Sequence, residues 1–201
     1  MYAVGHFAIG YLTGKITAKA LNTTINIPLL LLASVLPDID LLMPALVHRG
    51  PLHSVMLYSA IFIPILIVYK KRAAPYFLAI IQHILIGDYI TGPDLQLLWP
   101  LTNTEYGLQI GTTLTIVIEW AFFLLSMLVM IKSNDLLFLL KPHSSNMILT
   151  IPLMTVLLPT IISFPLYVPQ SLLIPHIIFL IILAIPIFMD MKAVLIKKTD
   201  K

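Results

Sequence analysis

The chain has 201 residues, 59% hydrophobic and 10% charged, with a formal net charge of +3 and a mean hydropathy of +1.00. A soluble domain carries about 25% charged residues, so this composition excludes an ordinary soluble enzyme and indicates an integral membrane protein. The absence of cysteine excludes disulfides, thiolate ligands and thiol nucleophiles, and lysines gathered at the ends of apolar segments exclude a nucleic-acid-binding stripe.

Residues 3–21 form a first apolar segment whose Gly5, Gly10 and Gly14 leave one flank small for close helix packing. Its start lacks the basic region and small-residue cleavage site of a signal peptide. Residues 27–47 have spanning length, about 20 residues being needed, with Pro37 near their middle. Residues 51–69 come next and stop at Lys70, Lys71 and Arg72; residues 75–91 carry His83 and Asp88. A polar loop over 92–109 holds Trp99 and Tyr106 as interfacial anchors. Residues 110–131, 147–168 and 172–190 are further spans, with an amphiphilic connector over 132–146. No linker or composition shift divides the chain. The expected fold is all-α: a polytopic transmembrane helical bundle of six to seven segments. It forms a single integral-membrane domain over 1–201, with a motif-bearing half at 1–100 and scaffold helices over 101–201.

Basic residues set the expected orientation. With the loop at residues 70–72 cytoplasmic and spans alternating, Lys15, Lys19, Lys132, Lys141, Lys192, Lys197, Lys198 and Lys201 also fall inside. Only Arg49 lies outside, as the positive-inside rule favours. The chain is then a multi-pass protein of the plasma or inner membrane with a cytoplasmic C-terminus.

Residues 36–54, LPDIDLLMPALVHRGPLHS, gather Asp38, Asp40, His48, Arg49 and His53 out of nine acidic residues and six histidines in the whole chain. Carboxylates and imidazoles hold zinc, manganese or iron, and in apolar surroundings they are costly without a partner. Any one of them alone reads as a turn or a solvated side chain; the cluster reads as a site. Pro37 argues against regular helix, and in an extended or turned segment Asp38 and Asp40 fall on one side. Gly50-Pro51 predicts a fresh helix start, putting His53 and Ser54 in an anion-receptive first turn beside Arg49. The topology lets His6, His48, His53, Asp38, Asp40, His83 and Asp88 face one outward-opening cavity. Glu119, about 14 Å into its span, is a ligand, a neighbour of the ligands, or a packing carboxylate. His176 reads as a helix-end residue, His143 as solvated, and Asp94 and Glu105 as loop charges.

Gly5-His6, Leu36-Pro37-Asp38-Ile39-Asp40, His48-Arg49-Gly50 with His53-Ser54, and His83, Asp88 and Thr91 followed by Leu97-Leu98-Trp99-Pro100 occur in that order over residues 1–100. Together they resemble the membrane-bound metal-dependent hydrolases, also described as LexA-binding, inner-membrane-associated hydrolases. The resemblance implies a polytopic helical protein and a metal-dependent hydrolase. Two positions depart from the family pattern. Leu52 stands where threonine usually precedes the second histidine, and His83 and Asp88 are five apart rather than four, about 140° around a regular helix. A π-bulge or a helix end near Gly87 restores their convergence.

The expectation is a membrane-embedded, metal-dependent hydrolase. Its metal ligands are His6, Asp38, Asp40, His53, His83 and Asp88, with His48 a ligand or acid/base and Arg49 clamping an anionic oxygen. The cofactor is a divalent metal, zinc first and manganese or iron as alternatives, and the ligand count allows two ions. The partners are the lipid bilayer and an amphiphilic or lipid-linked phosphoester or pyrophosphate near the outer leaflet, with no nucleic acid. The rivals are a cation or proton transporter, which buried Asp, His and Glu beside a proline-broken helix also describe, and a non-catalytic membrane protein with a structural metal.

Overall fold

A computed structural model describes residues 1–43, 45–92, 94–161 and 168–199, with side chains described to residue 191. Helix α1 (Ala3–Ala20) is the axis of the bundle, with thirteen of its 18 residues buried. A helix covered on all sides, as α1 is through Leu12, faces protein rather than lipid or water; its last turns are more open, with Ile16, Lys19 and Ala20 exposed. Its glycines are where neighbours come closest. A Cβ on Gly10 would meet Ser34 and Gln82, and one on Gly14 would meet Leu30, so the small flank seats α2 (Ile27–Ser34) and α4 (Ala74–Gln82).

Helix α2 has only 8 residues, opened by Asn26 accepting from the Leu29 N–H and by Pro28 in its first turn. Pro37 then prevents its continuation, and the backbone tightens into a 3-10 segment, Leu36–Leu42. A second 3-10 turn, Pro51–His53, precedes α3 (Val55–Tyr69). The predicted helix start at Pro51 is therefore displaced by four residues. Ser54 caps α3 through the Leu57 N–H at 3.2 Å, which fills one of the donors expected to receive an anion. Helix α4 passes into a π-helical turn, His83–Asp88, and ends in α5 (Tyr89–Thr91). The loop after α5 is tied back by Val55 N–H to Leu97 O, Gln96 N–H to Arg49 O and Leu108 N–H to Tyr89 O.

Helix α6 (Thr112–Lys132) buries Thr115, Glu119, Phe123, Ser126 and Met130, a single stripe three to four residues apart. It is succeeded by α7 (Asp135–Leu139), α8 (Thr150–Pro152), α9 (Leu158–Ile161) and α10 (Leu173–Thr199). Phe179 of α10 stacks on Phe7 of α1 at 5.3 Å and meets Phe123 of α6 edge-on at 5.8 Å, joining the three long helices.

Among the described residues three helical stretches are long and apolar enough to cross a membrane: Thr112–Lys132, Ser144–Ile161 and Gln170–Met191. This corrects the expectation of six to seven spans. The segment predicted at 27–47 is broken after 8 residues. The segment at 51–69 contains 15 helical residues, about 22 Å, short of the roughly 30 Å hydrocarbon layer. The segment at 3–21 carries His6, Lys15 and Lys19 and is enclosed by protein over residues 3–12, and 75–91 is interrupted by the π-turn. The span predicted at 147–168 is present to Ile161; its residues 162–167, like Lys201, lie outside the described residues. Hydropathy counts apolar side chains and does not distinguish those packed on protein from those facing lipid.

Candidate metal centre

Four side chains from three separate segments meet at one buried point. Asp38 comes from the 3-10 segment after α2, His53 from the turn before α3, and His83 and Asp88 from the two ends of the π-turn. All four are buried, His53 and His83 completely. One ligand atom from each lies within 4.8 Å of every other. His53 Nε2 is 3.4 Å from Asp38 Oδ1 and 3.2 Å from Asp88 Oδ2, and His83 Nε2 is 3.4 and 3.3 Å from the same two oxygens.

These spacings fit a metal better than they fit ion pairs. His53 Nε2, His83 Nε2 and Asp88 Oδ2 are buried without a hydrogen-bond partner, although imidazole nitrogens and carboxylate oxygens stand so near, because the directions are wrong for donation. Ligand atoms about 2.0–2.1 Å from a central zinc, the usual bond lengths, are separated by about 3.3 Å along the edges of a tetrahedron. Four of the six separations fall at 3.2–3.4 Å, and the other two lie within 4.8 Å. Buried groups of this kind are costly when left unpaired, and a divalent cation satisfies all of them at once.

The surrounding contacts orient the imidazoles. His83 Nδ1 is 2.9 Å from the Ser34 carbonyl oxygen, to which it can only donate, leaving Nε2 free to ligate. His53 Nδ1 is 3.2 Å from Asp40 Oδ2 without hydrogen-bond geometry, which puts a carboxylate beside the ring edge opposite Nε2. Asp40 also holds His48 Nδ1 at 3.0 Å through Oδ1 and accepts the Arg49 N–H at 3.3 Å. The 3-10 turn explains the division of labour. At three residues per turn, Asp38 and Asp40 point about 120° apart, so they reach opposite edges of the His53 ring rather than one side. Asp40, His48 and His53 form a second group with metal-ligand spacing, sharing His53 with the first.

The π-turn resolves the five-residue spacing of His83 and Asp88. Its i to i+5 repeat returns residues five apart to one face. His6 stands beside this group: its ring stacks on His83 at 3.6 Å and its Nε2 is 3.4 Å from Asp88 Oδ1, the oxygen turned away from the four-atom cluster. Gly87 makes this possible, since a Cβ there would run into the His6 ring.

Arg49 sits at the rim, its backbone in the left-handed region at φ 66° and locked between Asp40 and Gln96. Its Nη2 donates to Asp88 Oδ1 at 3.3 Å, and its Nε is buried without a partner. A Cβ on Gly92 would occupy the guanidinium's place. The same side chain lines a cavity of about 230 Å3 with Met1, Thr91, Gln109, Thr112 and Thr115. Thr91 belongs to the fourth motif, but nothing in the sequence pattern marks Thr112, Thr115 or the Ser34 carbonyl, because backbone acceptors and isolated hydroxyls carry no spacing signal.

Glu119 lies outside the cluster. Its two oxygens accept the Tyr2 N–H at 2.6 Å and the Gly5 N–H at 3.0 Å, so it caps α1 from the neighbouring helix and fixes the turn that carries His6. His176 is also apart: its Nε2 lies 2.9 Å from the Leu157 carbonyl oxygen and 3.2 Å from Thr160 Oγ1, beside a second π-turn, Leu153–Leu157. His143 caps its own turn through the Ser145 N–H.

No curated protein and no solved structure matches the chain. The family described as YdjM inner membrane protein matches residues 1–170, a stretch that contains every residue of the metal centre and the first two membrane-spanning candidates, α6 and Ser144–Ile161. The buried Asp and His cluster thus lies in the matched part of a helical membrane protein, and the chain belongs to the YdjM inner membrane protein family.

Proposed function

We propose that the chain is a membrane-embedded, metal-dependent hydrolase acting on a phosphoester or pyrophosphate of an amphiphilic substrate. The observation that carries this reading is the set of four 3.2–3.4 Å contacts among His53, His83, Asp38 and Asp88, in which His53 Nε2, His83 Nε2 and Asp88 Oδ2 are buried without a hydrogen-bond partner. These four residues would hold the ion. When bound there, a divalent metal supplies Lewis acidity and a lowered pKa for water.

The chain's own residues supply the rest. Arg49 keeps donors free beside the 230 Å3 cavity, and a guanidinium matches two phosphate oxygens in a fork. Its contact with Asp88 sets the distance between bound anion and ligand cluster. His48, about one-quarter exposed at 26%, has Nδ1 engaged by Asp40, so the proton it exchanges with substrate or solvent is the one on Nε2. Asp40 stands between that rim histidine and His53, anchoring the His48 ring through Oδ1 and approaching His53 Nδ1 at 3.2 Å through Oδ2. On the charge distribution of the loops, the centre faces the outer side and the C-terminus the cytoplasm.

The test is metal analysis of protein purified without chelators, together with hydrolysis of chromogenic phosphoesters. Stoichiometric zinc, manganese or iron with activity lost in Asp38→Ala supports the reading. Protein that stays metal-free after metal loading refutes the centre. Metal-loaded protein inactive on phosphoesters but passing protons or divalent ions in proteoliposomes refutes the hydrolase and favours a transporter.

A further inference from the structure

The two ends of α1 serve different surroundings. His6 stands at the metal centre, whereas Lys15 and Lys19 lie about 13 and 20 Å further along the axis, at 1.5 Å per residue. There a groove of about 1180 Å3 opens between the end of α1 and the junction of α6 and α7. Its apolar side includes Ile16, Leu137 and Phe138, which are 68%, 59% and 38% exposed. Its polar side carries Lys15, Lys19 and Lys141 with a single carboxylate, Asp135.

Asp135 is already engaged. Lys15 Nζ lies 2.8 Å from its Oδ2, and Tyr11 Oη and Ser133 Oγ donate to the same oxygen at 2.5 and 2.8 Å. Lys19 and Lys141 are exposed and have no ion-pair partner among the described residues. Three lysines against one carboxylate leave the groove at +2. Its depth is set by α6, whose 21 residues extend about 31 Å, the thickness of the hydrocarbon layer. The groove lies at the Lys132 end of that helix, at headgroup level, and the metal centre lies toward the other end.

We propose that this groove binds an acidic phospholipid, with the phosphate held by Lys19 and Lys141 and an acyl chain laid along Ile16, Leu137 and Phe138. Basic pockets between membrane helices recognise anionic headgroups in this way, and a lipid chain accounts for three large apolar side chains left uncovered beside two unpaired cations. The proposal is independent of the hydrolase reading, since the groove shares no residue with the metal centre.

Native mass spectrometry of the full chain in detergent, titrated with phosphatidylglycerol or phosphatidylcholine, tests it. At about fivefold per lysine, wild type should prefer the acidic lipid about 25-fold. Lys19→Ala with Lys141→Ala should reduce that preference below about threefold, while Lys19→Arg with Lys141→Arg keeps it. Bound metal should not change in either variant. Equal binding of the two lipids by wild type overturns the proposal without reference to any variant. So does a double alanine variant that retains the preference, or glycerol phosphate displacing the lipid at equal concentration, which would mark a site for free phosphate.

Discussion

Exchanging one carboxylate oxygen for an amide at Asp38 or at Asp40 separates a ligand from a residue that orients ligands. Asp38 Oδ1 forms two edges of the four-atom cluster, at 3.4 Å to each of His53 and His83. Asp38→Asn removes the negative charge from a ligating position, and zinc affinity should fall more than about 100-fold. Asp40 makes no edge of that cluster; its oxygens hold His48 Nδ1 at 3.0 Å and the Arg49 N–H at 3.3 Å, and Oδ2 approaches His53 Nδ1 at 3.2 Å. Asparagine keeps one acceptor and presents a donor in place of the other, so one histidine loses its anchor while the four ligands stay. Loss of such an outer partner weakens metal binding about 10- to 100-fold, which is about 1.4–2.7 kcal/mol. Zinc competition against a chromogenic chelator, at fixed pH in detergent, measures both variants, with the thermal midpoint of the metal-free protein as the control for folding. Asp40→Asn losing as much affinity as Asp38→Asn would place Asp40 among the ligands. Asp38→Asn binding zinc within about threefold of wild type would refute the four-atom centre.

Arg49→Lys keeps a cation near Asp88 but loses the fork, so activity on a phosphoester should fall about 100- to 1000-fold, as for one transition-state donor, with zinc content and thermal midpoint retained; full activity would remove Arg49 from substrate binding. Glu119→Gln leaves one of the Tyr2 and Gly5 N–H groups facing an amide NH2 and removes a charge from a helix N-terminus, costing about 1–2 kcal/mol. Its thermal midpoint should drop while zinc stoichiometry holds, and an unchanged midpoint would show that the cap is dispensable. For orientation, Asn103→Cys, in the exposed loop before α6, should react with an impermeant maleimide in intact cells and Ser145→Cys should not; the reverse pattern would put the metal centre on the cytoplasmic side.

The site was more legible in the sequence than the number of spans. Asp38, Asp40, His48, Arg49 and His53 stand out because titratable side chains are rare in so apolar a chain, and that signal needs no knowledge of backbone geometry. What each residue does was not legible. Asp38 and Asp40 reach different atoms of the His53 ring because the turned segment is a 3-10 helix; Pro37 marks the end of the helix in the local sequence but does not specify the backbone geometry beyond it. His6 reads as a ligand from its motif, yet it stacks on His83 and holds the far oxygen of Asp88. The span count failed for a related reason. In α1 and α2 the apolar residues pack on protein around the polar cluster, where irregular backbone at membrane depth is tolerated. Side-chain hydropathy is the same in both environments.

The π-turn between His83 and Asp88 offers a test that substitutions do not. An α-helix would put the two side chains about 140° apart, yet His83 Nε2 and Asp88 Oδ2 lie 3.3 Å from each other, because the turn holds one residue more than an α-helical turn. Deleting one exposed residue within it, Leu85 at 41% exposure, should let the segment close as regular α-helix with His and Asp four apart on one face. Thr91 and the loop after it then keep their direction, since the helix loses its bulge rather than its register. The deletion variant should therefore retain zinc within about tenfold of wild type, with a thermal midpoint equal or higher, as a rare π-turn is replaced by ordinary helix. Asp88→Ala keeps chain length but lacks the ligand, and should lose zinc altogether. If the deletion abolishes binding as completely as Asp88→Ala, the extra residue is needed for more than aligning two ligands. The contact between Gly87 and the His6 ring, which the deletion also shifts, would then be the feature that the π-turn exists to place.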